Sequence, residues 1–235
     1  MDETSLDAAP PARTRPEYFA RWSQLHGGVE PESSWLIKGW LTMSYAVGRP
    51  LARAGFSPNA VTMLGVLVAA AAPALVWLGV GREQSGWLWL AVVACALSGL
   101  IDNLDGVVAV ITGRTTRWGH VLDSVADRLS DCALLAALWL AGAAGVVVVA
   151  AGILTMIQEY ARARAGVAGM SEVGVVSVWE RPTRIAVVAV FVGLAAWTPF
   201  GVESWRWADL GAGAALALAV VGTVQVLAAI RRALG

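Results

Sequence analysis

The chain has 235 residues, of which 57% are hydrophobic and 14% charged, with seventeen basic and seventeen acidic side chains that leave no formal net charge. A soluble domain carries about a quarter charged residues, so this composition excludes an ordinary water-soluble globule and reads as one polytopic membrane domain. The balanced charge gives no sign of a nucleic-acid partner and none is expected, while two cysteines without close spacing, Cys95 and Cys132, suggest neither a disulfide scaffold nor a zinc site.

Residues 1–33 are polar and rich in Pro, Glu and Arg, as expected of a flexible cytosolic tail. The first of them, Met1-Asp2-Glu3-Thr4, lack the basic and apolar runs of a signal peptide, so insertion is expected to rely on internal helices. In residues 34–54, Ser34 is a candidate N-cap. There Trp35, Leu36, Trp40, Met43, Val47 and Leu51 mix with Lys38 and Arg49, the pattern of an amphipathic helix lying on a membrane surface. Six apolar runs follow near residues 60–80, 86–112, 116–141, 144–166, 183–200 and 208–230, each expected as a transmembrane helix. The expected fold is all-α, with residues 34–235 forming one membrane domain of six transmembrane helices preceded by the juxtamembrane helix.

Basic residues set the expected orientation. If the tail is cytosolic, Arg114, Arg117, Arg162, Arg164, Arg181, Arg184, Arg231 and Arg232 share its side, and only Arg82 and Arg206 fall outside it. Trp77, Trp87, Trp89, Trp139, Trp197, Trp205 and Trp207 then gather at the outer ends as an interfacial belt. This places a multi-pass protein in the cell membrane.

Four aspartates interrupt the second and third runs. Asp102 and Asp105 are three residues apart and Asp123 and Asp127 four apart, so each pair lines one helix face. Gly113-Arg114-Thr115 between them is a plausible tight turn, and an antiparallel hairpin would bring all four carboxylates to one depth. Charges in such a setting are costly and mark function. They cannot all stay ionised together without compensating cations. Apart from Arg117 at the edge of the second of these helices, Arg128 is the only arginine or lysine inside them; it could pair with Asp131 three residues on and cannot neutralise the whole group. An all-oxygen cluster suits hard Mg²⁺ or Mn²⁺ rather than zinc, and His120 lies off the stripe. Two such ions bridged by carboxylates would make a phosphoryl-transfer site. Gly106, Ala109 and Gly119 continue the aspartate faces as nearly bare backbone, which either admits a bulky ligand or permits close helix packing.

The segment Asp102-Asn103-Leu104-Asp105-Gly106-Val107-Val108-Ala109, continued by Gly119, Asp123 and Asp127, resembles the signature of the CDP-alcohol phosphotransferases. Ser57-Pro58-Asn59-Ala60-Val61-Thr62 is similar to the family's Pro-Asn-x-x-Thr segment at the start of its first transmembrane helix. The resemblance implies that Asp102, Asp105, Asp123 and Asp127 bind two Mg²⁺ or Mn²⁺ ions, and that Asp127 is also general base towards the acceptor hydroxyl. It implies that Gly106 and Ala109 admit the cytidine nucleotide, with Asn59 among the binding residues. The implied reaction moves a phosphatidyl group from CDP-diacylglycerol to an alcohol and releases CMP, in a homodimer among membrane lipids.

One position departs from the pattern. The family arginine after the alanine is Val110 here, and Arg114 lies on the same face if the helix continues, so it is the candidate to reach back to the donor. The segments Glu159-Tyr160-Ala161-Arg162-Ala163-Arg164 and Trp179-Glu180-Arg181-Pro182-Thr183-Arg184 resemble those flanking the acceptor pocket in the phosphatidylinositol phosphate synthase branch. Arg162, Arg164, Arg181 and Arg184 would suit a phosphorylated polyol, although the positive-inside rule accounts for them without any ligand. Inositol phosphate, glycerol phosphate and an unphosphorylated alcohol all stay open. Two other classes stand beside the enzyme: a catalytically weak homologue serving as a partner subunit, which Val110 favours, and a cation or proton transporter, which would not need small residues in this register.

Overall fold

In a computed structural model, residues 10–12, 14–25, 27–170 and 176–235 are described. Among them the structure is all-α, without strands. The helices are α1 (Arg15–Leu25), α2 (Trp35–Arg53), α3 (Pro58–Arg82), α4 (Ser85–Thr112), α5 (Arg117–Leu140), α6 (Gly145–Val167), α7 (Arg181–Trp197) and α8 (Val202–Leu234), with a single 3₁₀ turn at Pro31–Ser33.

Local chemistry explains where the helices that matter to function begin and stop. Pro58 opens α3 where its missing N–H costs nothing, and the preceding Ser57 Oγ accepts the Ala60 amide at 3.2 Å. α4 ends because Gly113 takes φ +67°, letting the Arg114 amide close onto the Ala109 carbonyl at 3.0 Å, a geometry that favours glycine. α5 restarts at once, with Thr116 Oγ1 accepting the Gly119 amide at 2.9 Å. The reversal expected between the two aspartate pairs therefore has a cap on each side.

Each of the six expected apolar runs is helical. Among the described residues α3, α4, α6 and α8 are long and apolar enough to cross a membrane by length and composition. α5 falls short because Arg117, Asp123, Asp127, Arg128 and Asp131 interrupt it, and α7 because it has 17 residues. Within the stretch expected as a tail, residues 1–9 lie outside the described ones, whereas Arg15–Leu25 is helical with Tyr18 buried. Tyr18, Phe19 and Trp22 fall on neighbouring positions of one face, which the polar average of the segment conceals.

The chain forms two compact units, one comprising residues up to Val66 with Leu100–Asp127, the other Leu67–Gly99 with Arg128–Gly235. In the first, Tyr18, Leu41, Tyr45, Val107 and Ile111 form an apolar cluster, and Val61, Leu104 and Val108 form a second. α2 buries Leu41, Ser44, Tyr45 and Gly48, while Leu36, Trp40, Met43 and Val47 stay exposed along the opposite face. The core of the second unit is built largely from alanines, including Ala91, Ala137, Ala151, Ala208, Ala215 and Ala219. Small residues let helix backbones approach, the usual route to association where lipid is the solvent.

Gly211 shows how tight that approach is, since an added Cβ would sit 2.6 Å from Phe191 Cβ and 3.0 Å from Leu138 Cδ2. Gly211→Val is therefore expected to overpack the junction of α5, α7 and α8 and cost about 1–3 kcal/mol. Gly213→Val, whose Cβ would meet nothing within 4 Å, is the matched control. Thermal unfolding in detergent should show a lower midpoint for the first variant only.

Candidate metal centre

Asp102 from α4 and Asp123 and Asp127 from α5 present carboxylate oxygens that all lie within 4.8 Å of one another. All three are half-buried. This is the donor set expected for a hard divalent cation: oxygen only, anionic, and close enough to share an ion.

Asp105 stands beside this group rather than in it. It neighbours Asp123 and Asp127, but its own side chain is 8% exposed and already engaged. Thr62 Oγ1 donates to Asp105 Oδ2 at 2.6 Å and the Gly106 amide to Oδ1 at 2.6 Å. Thr62 closes the Pro58-Asn59-x-x-Thr segment, four residues on from the proline that starts α3. The sequence pattern alone assigns Thr62 no role, although a hydroxyl one turn into an apolar helix is the available signal.

The small residues divide between two uses. A Cβ on Gly106 would meet nothing within 4 Å, so this position borders open space. Gly119 is close-packed instead: its Cβ would lie 3.0 Å from Thr116 Oγ1 and 3.4 Å from Asn59 Oδ1, which brings Asn59 to the first turn of α5. Ala109 is buried. α4 stops at Thr112, so Arg114 does not continue its face, and that side chain is exposed in the turn beyond the helix. Val110 is half-buried and packs against the cluster containing Tyr18 and Tyr45.

The second unit holds a separate polar assembly. Arg184, 3% exposed, donates to Asp131 at 2.8 Å, to Glu159 at 2.7 Å and to the Trp179 carbonyl at 3.0 Å. Arg128 pairs with Asp131, as its spacing suggested, and with Glu159, both at 3.2 Å. Arg162 bridges Glu159 and Glu180. Ser177 draws in the chain before α7, its amide donating to Glu180 at 2.7 Å and its Oγ accepting Gln158 Nε2 at 2.6 Å. Trp179 is fully buried, and its indole N–H reaches Thr155 Oγ1 at 2.8 Å.

Arg128, Arg162 and Arg184 thus face Asp131, Glu159 and Glu180, a charge-balanced set, which is the condition under which buried ions persist. Of the four arginines singled out in the sequence, Arg162 and Arg184 are engaged with carboxylates here, Arg164 is exposed and Arg181 is half-buried at the start of α7. Glu159 and Glu180, quoted only as neighbours of those arginines, are what hold them.

Burial pushes the Glu180 carboxyl up, but hydrogen bonds from Arg162 and Ser177 outweigh that and hold it below its ordinary value of 4.5. A depressed value means that the contribution to stability is complete above the ordinary carboxylate range and lost as pH falls through the native one. Glu180→Gln should therefore destabilise the protein near neutral pH, with the difference from wild type shrinking below pH 4.5. Thermal midpoints of both proteins between neutral and acid pH decide this, and a difference independent of pH would refute it.

Residues 56–226 match the family model described as CDP-alcohol phosphatidyltransferase. The phosphatidylinositol phosphate synthase of Mycolicibacterium smegmatis is 34% identical over 162 residues, covering 66% of this chain and 69% of that protein. The archaetidylinositol phosphate synthase of Aeropyrum pernix is 37% identical over 145 residues, covering 60% and 69%. Among solved structures, the Mycobacterium tuberculosis phosphatidylinositol phosphate synthase in complex with manganese and citrate superposes with a TM-score of 0.65 at 27% identity, over 80% of this chain and 88% of that one. The same enzyme with CDP-DAG bound gives 0.63 at 26% identity, over 80% and 94%.

Proposed function

This chain belongs to the CDP-alcohol phosphatidyltransferase family, and from that premise we propose that it moves a phosphatidyl group from CDP-diacylglycerol to a hydroxyl of inositol phosphate, releasing CMP. The observation that carries this reading is the convergence of Asp102, Asp123 and Asp127 within 4.8 Å, in the register of the family signature. The choice of acceptor is supported by relatives that are phosphatidylinositol phosphate and archaetidylinositol phosphate synthases.

The carboxylates fit Mg²⁺ or Mn²⁺, ions that when bound neutralise the donor diphosphate and stabilise the departing CMP. Asp102, Asp123 and Asp127 would hold them, with Asp105 alongside, its orientation fixed by Thr62 and the Gly106 amide. Asp127 takes the proton of the acceptor hydroxyl as its oxygen bonds to the phosphatidyl phosphorus and the bond from that phosphorus to CMP breaks. The bare backbone at Gly106, followed by Ala109, admits the cytidine nucleotide, with Asn59 and Arg114 as further donor contacts. Arg164 and Arg181 are assigned to the acceptor phosphate, while Arg162 and Arg184 act by fixing the chain that leads into α7.

The protein is a multi-pass membrane transferase of phospholipid synthesis. Within that statement we propose six spans, α3 to α8, with α2 lying on the membrane surface through the exposed stripe Leu36, Trp40, Met43 and Val47. The arginine-rich ends and the site would face the cytosol by the positive-inside rule, residues 1–33 would be the cytosolic segment ahead of a membrane domain over 34–235, and two copies would form a homodimer.

CMP release by the purified protein, with and without Mg²⁺ or Mn²⁺, tests the function. Asp105→Asn and Asp123→Asn are expected to abolish it while insertion persists, and Asp127→Asn to lower kcat about 10²- to 10⁴-fold. Inositol phosphate should support turnover where inositol and glycerol phosphate do not. Metal binding without turnover on any acceptor would indicate a non-catalytic partner subunit.

Gly106→Leu should weaken CDP binding at least about tenfold, by filling the open space without changing a charge. Calorimetry with CDP and Mg²⁺ gives the answer, and unchanged affinity would return Gly106 to helix packing.

A further inference from the structure

The segment ahead of α2 has no part in this chemistry, yet it is built onto the signature helix. Ala12 is 4% exposed and lies in one apolar cluster with Val107 and Ile111 of α4, Leu41 and Tyr45 of α2 and Tyr18 of α1. Its amide donates to the Val110 carbonyl at 3.2 Å. That carbonyl belongs to the last turn of α4, where acceptors have no partner within their own helix. The Gly113 amide approaches the same oxygen at 3.4 Å, so the N-terminal segment reinforces the cap that ends α4.

Two further contacts seat the segment. Tyr18 is 2% exposed, with its ring 5.6 Å from that of Tyr45. α2 lies against α4 so closely that a Cβ on Gly48 would fall 2.5 Å from Val107 Cγ1. Val110 borders the cluster beside Phe19 and Trp22. An arginine there would bring a guanidinium against these apolar side chains.

We infer that residues 10–12 and 14–25 form a strap that holds the last turn of α4, that Val110 makes its seat possible, and that Ala12, Tyr18 and Val110 are positioning residues for the donor end of the site. The functional half rests on Gly106 and Ala109 being the donor's approach. Loss of the strap frees the turn that follows them, and so raises the KM for donor while leaving kcat nearly alone.

The full chain in detergent, carrying Ala12→Arg, Tyr18→Ser, Val110→Arg or the conservative Tyr18→Phe, tests both halves. The structural readouts are amide exchange at Gly113 and Arg114 and protease cleavage within residues 15–25, which report local opening. The kinetic readout is CMP release against CDP-diacylglycerol concentration. The first three variants should exchange and be cleaved faster, with the donor KM raised about tenfold, whereas Tyr18→Phe behaves as wild type. Unchanged exchange and cleavage in Ala12→Arg and Tyr18→Ser would overturn the strap. A fall in kcat at constant KM, or tighter donor binding in Val110→Arg, would overturn its positioning role. A wild-type protein that releases no CMP refutes the proposed function and with it the kinetic half, while exchange and cleavage still decide whether the strap is seated.

Discussion

Carboxylates in apolar helices repel one another and give up their hydration, so whatever surrounds them must supply donors or cations. Much of the first unit follows from that constraint. Asp105, the buried member, receives a hydroxyl from α3 and the amide of its own successor, whereas Asp102, Asp123 and Asp127 are half-buried with their oxygens facing one another. The caps at Gly113 and Thr116 bring the two stripes together, and Gly106 leaves open space beside them. Three half-buried carboxylates with oxygens within 4.8 Å of one another are well suited to a divalent ion.

The second unit answers the same constraint in the opposite way. Its three carboxylates each face at least one of three arginines, and the hydrogen bonds run on to Ser177, Gln158 and the Trp179 carbonyl. Removing one member of such a set strands the rest, which typically costs about 3–5 kcal/mol. Residues 176–180, just before α7, are therefore held by ion pairs and by a buried indole rather than by regular structure. Those ion pairs account for the presence of Arg162 and Arg184 without any ligand.

The aspartate spacing was legible because helical period and charge speak for themselves: three and four residues apart can mean little else in an apolar run. The apolar runs likewise gave the helices, since runs of about 20 residues without a period of two suit helices, which satisfy the backbone in lipid within one segment. Less was legible where a partner comes from far along the chain. Thr62 and Asp105 are bonded across 43 positions, and Arg184 and Asp131 across 53, and no local pattern announces either pair. That Arg114 lies beyond the helix was hidden for a related reason, because whether α4 continued past Thr112 depended on Gly113 adopting a left-handed conformation. The helix at Arg15–Leu25 was hidden by composition, its three aromatic positions being outnumbered by polar neighbours.

The bond between Ala12 and Val110 also has a consequence for the order of assembly. During synthesis the N-terminal segment leaves the ribosome first, but its seat on α4 is made roughly a hundred residues later, on the order of ten seconds at ribosomal rates. Through that interval Tyr18, Phe19 and Trp22 have no α4 to pack on. Closing so long a loop carries an entropic cost that local helix formation does not, so the segment is the last part of its unit to settle. A chain arrested before Ile111 would have Tyr18 beside Tyr45 of α2 but would lack the finished end of α4 that completes the cluster around Tyr18, Phe19 and Trp22.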